Sequence, residues 1–439
     1  MQTPSRRLLA MFAGLSLLSV VCSIWTTFSI VWWSVVSILL TASIIDAALL
    51  FRLGKHFNIQ REVPHSLALG IAQEISLHVS HQYQQTIRCE FIDSIPEGFE
   101  SDITSERRQL RLLPGQHGTV TYIATPVVRG RHQFEPCDLR LFSPLGFWSR
   151  QFRAGDTTKI HVYPNFAAIV KYHLLATDHR LGQLGILVRQ RRGEGLDFRQ
   201  LREYREGDSR RQIDWKASSR MRKLISREYQ DEKDQQVVFL LDCGRRMQAQ
   251  DGHLSHFDHT LNAMLLLSYV ALRQGDAVGL STFATQDIRY LAPKKSDKTV
   301  NLILNQVFDL QPSLQTSDYY QAAIDLTLKL KKRALIVILS NLRDEDDVTL
   351  LPALQLLQKK HLVIFASLQE SSLLQQITSP IHTDKEAIQF AANCDFLNKR
   401  EQLLRKLNAN RTLAIETPPE KLAIELVNQY LDLKMKAKI

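Results

Sequence analysis

The chain is poor in the features by which enzymes and secreted proteins are most readily recognised. Its 439 residues hold five cysteines, at 22, 89, 137, 243 and 394, and no two are spaced as CxxC. That excludes a disulfide framework and a zinc ribbon, and it suits a reducing compartment. No GxxxxGK[ST] stretch occurs, so any ATP hydrolysis must come from a partner. GxSxG and HExxH are missing as well, which removes the serine-hydrolase elbow and the zincin helix. His253, His256 and His259 recur every third residue. On a helix the outer two stand about 9 Å apart along the axis and about 120° apart around it, so all three fit one ion poorly. A polar helix start beside Asp258 is the plainer reading.

Charge is missing from one long run. Between positions 8 and 51 the only charged side chain is Asp46. That length is twice the roughly 20 residues a single spanning helix needs. The polar break Trp25-Thr26-Thr27-Phe28-Ser29 divides it into 8–24 and 30–51, a transmembrane helical hairpin with Trp25, Trp32 and Trp33 near the far interface. A cleaved leader has one short apolar core and fits worse. Arg6 and Arg7 flank one end and Arg52, Lys55 and Arg61 the other, which predicts both ends, and all that follows, on the cytoplasmic side of the inner membrane. Asp46 admits two readings, a proton path or an interfacial carboxylate near Arg52, and its place six positions before Arg52 favours the second.

Residues 66–163 alternate apolar and polar side chains in short runs, clearest over 119–128, with turn signals at Pro96-Glu97-Gly98, Pro114-Gly115 and Arg129-Gly130-Arg131. Six or seven strands in about 100 residues predict a β-sandwich module serving as spacer or docking surface. Gly130 and Gly146 read as turn residues. Beyond it, apolar strands at 237–242, 277–283, 334–340, 362–368 and 413–416 alternate with helical patterns at 257–273, 299–308, 319–331, 348–359, 385–407 and 420–434. Such alternation predicts a doubly wound, mainly parallel α/β sheet. The organisation read from sequence is therefore a membrane anchor over 1–60, a β-sandwich-like module over 61–165, a basic segment over 166–234 packing on the next domain, and an α/β domain over 235–439.

The formal net charge of +10 is concentrated in that basic segment, where 13 Lys and Arg stand against 6 Asp and Glu between positions 189 and 227. From Gly193 the stretch GEGLDFRQLREYREGDSRRQIDWKASSRMRKLISREYQ resembles the signature of a membrane-anchored family, domain of unknown function 58. Phe198, Leu201, Arg202, Tyr204, Gly207, Asp208, Arg211, Ile213, Asp214, Trp215, Lys216, Ser218 and Arg220 carry the match. TPVVRGRHQF, SPLGFW and VYP resemble the β module that precedes the signature, and ELVNQYLDLKMK resembles the closing helix. The resemblance implies a membrane-tethered von Willebrand A-like domain, and a MoxR-type AAA+ ATPase or its client as partner.

Such domains place a metal site, Asp-x-Ser-x-Ser, at the carboxyl end of their first strand. Here the strand VVFLL ends on Asp242, but Gly244 and Arg246 hold the two serine positions. The further metal-type positions fall on Thr316 or Ser317 and on Asn341, where an aspartate is usual. A guanidinium carries only donors and a fixed positive charge, so it repels a divalent ion. The resemblance thus implies a degenerate site needing no metal and no cofactor. Two readings of Arg246 stay open: a surface loop residue at a decayed site, or a guanidinium in the ion's place that pairs with Asp242 and offers a fork to a partner's carboxylate. Cys243 reads as a small core-facing residue.

Three functions follow in order. A non-enzymatic, membrane-anchored adaptor that binds a protein partner comes first. A metal-dependent adhesion-type module is second, and an enzyme using Asp208, Asp214 and Lys216 third. For the basic segment, internal ion pairs through Glu203, Glu206, Asp208 and Asp214 come first, anionic lipid head groups second and nucleic acid last.

Overall fold

The computed structural model describes residues 2–24, 29–52, 57–83, 86–102, 108–165, 197–205, 208, 210–230, 235–343, 346–410 and 412–436. Trp25, Lys55, Gly193 and Gly207 lie outside these residues, as do the side chains of Phe198 and Arg211. The chain divides into two compact units, Met1–Val162 and Tyr163–Ile439.

In the first unit, strand β1 (Gln2–Pro4) precedes helices α1 (Arg6–Ile24) and α2 (Ser29–Arg52). Among the described residues one stretch, Ile30–Arg52, is long and apolar enough to cross a membrane, with a mean hydropathy of 2.2. Ile30, Trp33, Ile38 and Ile44 on it are all more than half exposed. Trp32 donates its indole N–H to the Leu15 carbonyl at 3.3 Å, so it packs α2 on α1.

One stripe of α2 is buried. Ser43, Asp46 and Leu50 share a face at helical spacing, and the first two meet the 143–148 turn of the β module. Asp46 accepts the backbone N–H groups of Leu145 at 3.0 Å and Phe147 at 3.2 Å, while the Trp148 indole donates to the Ser43 carbonyl at 3.1 Å. Asp46 thus has partners other than the Arg52 side chain. Its partners are turn amides, which lack ladder partners of their own and need an acceptor once buried.

The module comprises β2 (Phe57–Glu62), β3 (Ser66–Ala68), β4 (Gln73–His81), β5 (Ile87–Ser94), β6 (Phe99–Ser101), β7 (Arg108–Leu112), β8 (Gly118–Pro126), β9 (Gly130–Phe142), β10 (Trp148–Ala154) and β11 (Thr158–Tyr163). One sheet runs β2-β4-β8-β6; the other runs β1-β10-β9-β11-β3, with β5 pairing both β9 and β7. The sheets form a sandwich because alternate residues point inward: Ile75, Leu77 and Val79 on β4, and Val120, Tyr122 and Ala124 on β8, are buried. The module begins earlier than residue 61, since β2 starts at Phe57 and β1 at the far N-terminus joins its sheet.

Arg61 also changes role. It is not a membrane-flanking charge: its side chain is 3 % exposed and lies 2.5 Å from the equally buried Asp93, joining β2 of one sheet to β5 of the other. Tyr122 donates to the same carboxylate, Cys137 reaches it at 3.1 Å, and the guanidinium lies over the Phe134 ring at 4.9 Å. Burial, ahead of the Asp93 charge, pushes the Cys137 thiol up to about 12, so it is no nucleophile at neutral pH.

The second unit opens with an antiparallel pair, β12 (Asp197–Glu203) and β13 (Ile225–Gln230), joined by a 3-10 turn and helix α3 (Trp215–Met221). The main sheet then follows: β14 (Gln236–Asp242), a short hairpin β15 (Gln250–Asp251) and β16 (Leu254–Ser255), α4 (His256–Arg273), β17 (Ala277–Phe283), β18 (Tyr290–Lys294), α5 (Thr299–Val307), α6 (Tyr319–Lys329), β19 (Leu335–Leu339), α7 (Asp347–Gln358), β20 (Leu362–Leu368), α8 (Ser371–Thr378), α9 (Asp384–Ala409), β21 (Leu413–Thr417) and α10 (Leu422–Met435). The order is β18-β17-β14-β19-β20-β21, all parallel except β18. The edge strand β18, the hairpin and α8 are additions to the elements read from sequence. On β14, Val237, Phe239 and Leu241 pack with α4 and α10, while Val238 and Leu240 pack with α6, α7 and α9. A strand buried on both faces explains the unbroken apolar run.

Chain order reverses between β14 and β19. In open α/β sheets that switch point, at the carboxyl ends of the strands, is where ligands settle. Asp242 ends β14 there, and Ser340 and Asn341 follow β19.

Candidate functional site

Asp242 is fully buried and surrounded by donors. The Gly244 N–H reaches it at 2.8 Å, the Ser317 hydroxyl lies 2.7 Å from both oxygens, and the Ser340 hydroxyl is at 2.5 Å. Burial pushes the Asp242 carboxyl upward, while those hydrogen bonds and the Arg246 charge pull it down. Of the two hydroxyl positions after β18, Ser317 engages and Thr316 is exposed.

Arg246 is 6 % exposed and stands at the centre of the switch point. Its Nη1 donates to Asp346 at 2.5 Å, to the Asn341 carbonyl at 3.1 Å and to the Tyr319 hydroxyl at 3.1 Å. Its Nε is 3.8 Å from Asp242, close enough for attraction and too far for a hydrogen bond. It is thus not an exposed loop residue. Its chief partner is Asp346, 100 positions along the chain, rather than Asp242. Burial works to lower its pKa, but the hydrogen bond and charge of Asp346 and the charge of Asp242 oppose that, so the guanidinium is held charged.

The residues do not fit a divalent cation. A guanidinium stands 3.8 Å from Asp242, where its fixed positive charge opposes a cation, and serine and backbone donors already occupy that carboxylate. Gly244 is constrained by space: a Cβ there would come within 2.6 Å of the Ser317 hydroxyl and 2.9 Å of the Gln315 carbonyl. Asn341 is explained by its neighbours. Its amide donates to Glu370 at 3.0 Å and meets His256 Nδ1 at 3.2 Å. An aspartate would set two carboxylates face to face. Burial, foremost, lowers the pKa of His256, and the Asn341 contact suits a neutral ring whose Nδ1 accepts. His259 is likewise lowered by burial. Asp258 instead serves the capping box of α4 with Ser255. Cys243 is fully buried.

The loop before α6 is tied to the Asp242 loop by the Arg245 N–H to Gln315 carbonyl bond at 3.0 Å and by the Ser313 N–H to Cys243 carbonyl bond. That loop and the flanking helix starts present exposed Leu314, Tyr320 and Val348.

The signature segment forms a separate frame. Arg202 grips Asp208 with two 2.7 Å bonds, and the Tyr204 hydroxyl donates to the Asp208 carbonyl at 3.1 Å. Asp214 caps α3 through the Ala217 N–H at 3.0 Å and accepts from Arg227 at 2.9 Å. The Arg202 hydrogen bond holds the Asp208 carboxyl below its usual range, and the Ala217 N–H, followed by Arg227, does so for Asp214. Both carboxylates are therefore committed to structure, while Trp215, Lys216 and Arg220 are exposed. Sequence spacing had no means of selecting Asp346, Tyr319, Ser340 or Glu370. An acidic residue just after the fourth strand of the sheet was the one available signal for Asp346.

Residues 200–375 match the family described as "Protein of unknown function DUF58". No curated protein matches the chain. Solved structures similar to parts of it include native alpha-2-macroglobulin from Escherichia coli, from domain MG7 to the C-terminus, at 13% identity and a TM-score of 0.22, over 26% of this chain and 17% of that one. Another is the CARDB domain of the PF1109 protein from Pyrococcus furiosus in complex with di-metal ions, at 10% identity and a TM-score of 0.17, over 24% of this chain and 91% of that one. The chain thus spans under a fifth of the macroglobulin chain it matches.

Proposed function

With a DUF58 domain at residues 200–375 as the premise, we propose that this chain is a membrane-anchored, non-enzymatic adaptor. Its von Willebrand A-like sheet end docks a protein partner, a MoxR-type AAA+ ATPase or a client of one. The observation that carries this reading is Arg246. Its guanidinium ties Asp242, Asp346, Tyr319 and the Asn341 carbonyl together, so the loops that bear Leu314, Tyr320 and Val348 are held in place by a built-in cation. A fixed platform with exposed apolar side chains suits protein docking. The same cation weighs against a metal-dependent adhesion module, and the engagement of Asp208 and Asp214 weighs against an active site in the signature.

In this reading α1 and α2 span the inner membrane as a hairpin with the soluble parts in the cytoplasm, supported by exposed Arg6, Arg7 and Arg52 at the open ends. Reporter fusions after Tyr163 test the topology, and activity on the outer side overturns it. The docking test uses the purified full chain in lipid nanodiscs with a MoxR-type ATPase from the same genome. Saturable binding is expected, weakened about tenfold or more by Leu314→Asp or Val348→Asp. No binding, or binding indifferent to both changes, overturns the docking surface.

A further inference from the structure

We propose that the β module carries a phosphate-binding cleft between β5, β7 and the 143–148 turn, and that it takes the phosphate of an anionic lipid head group. The cleft, about 160 Å³, is lined by Thr86, Arg88, Arg111, Phe142, Ser143 and Pro144, with Ile87 behind. Arg88 and Arg111 are direct cross-strand partners in the β5–β7 register. Like charges placed directly opposite destabilise a sheet, so the pair costs the module stability unless an anion lies between them.

Among the described residues no carboxylate meets either guanidinium. The acid on the same face of β5, Glu90, is engaged by Gln109 at 3.0 Å and by Arg140 at 3.9 Å. Two planar forks at one opening match a phosphate in geometry and in charge. Hydroxyls complete the lining. Ser143 Oγ accepts the Trp148 N–H at 3.0 Å, which leaves its own proton to donate, and Thr86 is exposed at the rim.

Placement selects the source of the phosphate. Ser143 and Pro144 begin the turn that Asp46 of α2 holds through Leu145 and Phe147. The cleft therefore adjoins the turn by which the module is fixed to Ser43 and Asp46 of the apolar helix. If α2 spans the bilayer, as proposed above, that turn lies at head-group level, where anionic lipid concentrates on the cytoplasmic face. This step rests on the membrane reading, whereas the anion site itself does not.

The test uses the full chain in detergent, titrated with short-chain phosphatidylglycerol, short-chain phosphatidylcholine and inorganic phosphate. Phosphatidylglycerol is expected to bind about tenfold or more tightly than phosphatidylcholine, and Arg88→Gln with Arg111→Gln to remove the difference. A second measurement needs no ligand: either single glutamine change should raise the melting temperature of the free protein by relieving the repulsion. Competition by phosphate at equal strength would keep the anion site but overturn the lipid assignment. Binding unchanged in the double variant, or a melting temperature lowered by both single changes, overturns the proposal. Failure of the topology reporter with phosphate binding intact would fault the membrane reading alone.

Discussion

Arg246 stands 2.5 Å from Asp346 and 3.8 Å from Asp242, one buried cation shared by carboxylates that follow two different strands of the sheet. A metal-type site would bind those loops through an ion from solution. Here the covalent chain itself supplies a positive charge between those loops.

Removing that cation leaves two buried carboxylates without it. Arg246→Ala is expected to cost about 3–5 kcal/mol in denaturant unfolding. In double-mutant cycles the coupling to Asp346 should exceed that to Asp242, because only the former pair is hydrogen-bonded. A larger coupling to Asp242 would reverse the assignment.

Restoring the metal-type residues should not restore metal binding. The variant Gly244→Ser, Arg246→Ser and Asn341→Asp places a Cβ against Ser317 and Gln315 and a new carboxylate against Glu370. Gly244→Ala alone should destabilise by about 1–3 kcal/mol. The triple variant should show no magnesium-dependent rise in melting temperature. A rise near the about 2.7 kcal/mol that saturating ligand produces would contradict the packing argument.

The buried histidines make the second unit acid-sensitive. Burial, the leading cause in each case, sets the pKa of His256, His259 and His361 below the ordinary value of 6.5. The unfolded chain then takes up protons before the folded one does. Stability is fully present above pH 6.5 and is lost as pH falls from there through the folded values. Melting temperature should decline as pH falls below about 6.5. His256→Asn, which keeps an acceptor toward Asn341, should flatten that decline; an unaltered profile would exclude His256 as a contributor.

Asp46 joins the apolar helix to the β module. Asp46→Ala removes the acceptor of the Leu145 and Phe147 amides, at about 0.5–1.5 kcal/mol for each hydrogen bond lost. Amide exchange at those two positions should accelerate selectively. Unchanged protection would mean that the turn is held by Ser143 and Trp148 alone.

Much of the architecture was legible locally. Continuous apolar runs such as 237–241 marked strands buried on both faces, and the polar stretch beside Asp258 marked the start of α4. The β18 edge strand was not legible: its Pro293 argues against a strand, and it survives because it lies at the edge, where Gly279 lets it approach closely. Asp242 was marked by its place at the end of the apolar run 237–241, and Arg246 by the resemblance, which puts it at a metal-type position. The identity of Arg246's partner was decided in three dimensions, by β19 lying next to β14 and bringing Asp346 across 100 positions. Arg61 shows the same limit. In sequence it is a basic residue near an apolar helix, and only the facing of two sheets places Asp93 against it. Periodicity is a property of neighbours in the chain, whereas compensation of a buried charge belongs to whichever strands the topology makes adjacent.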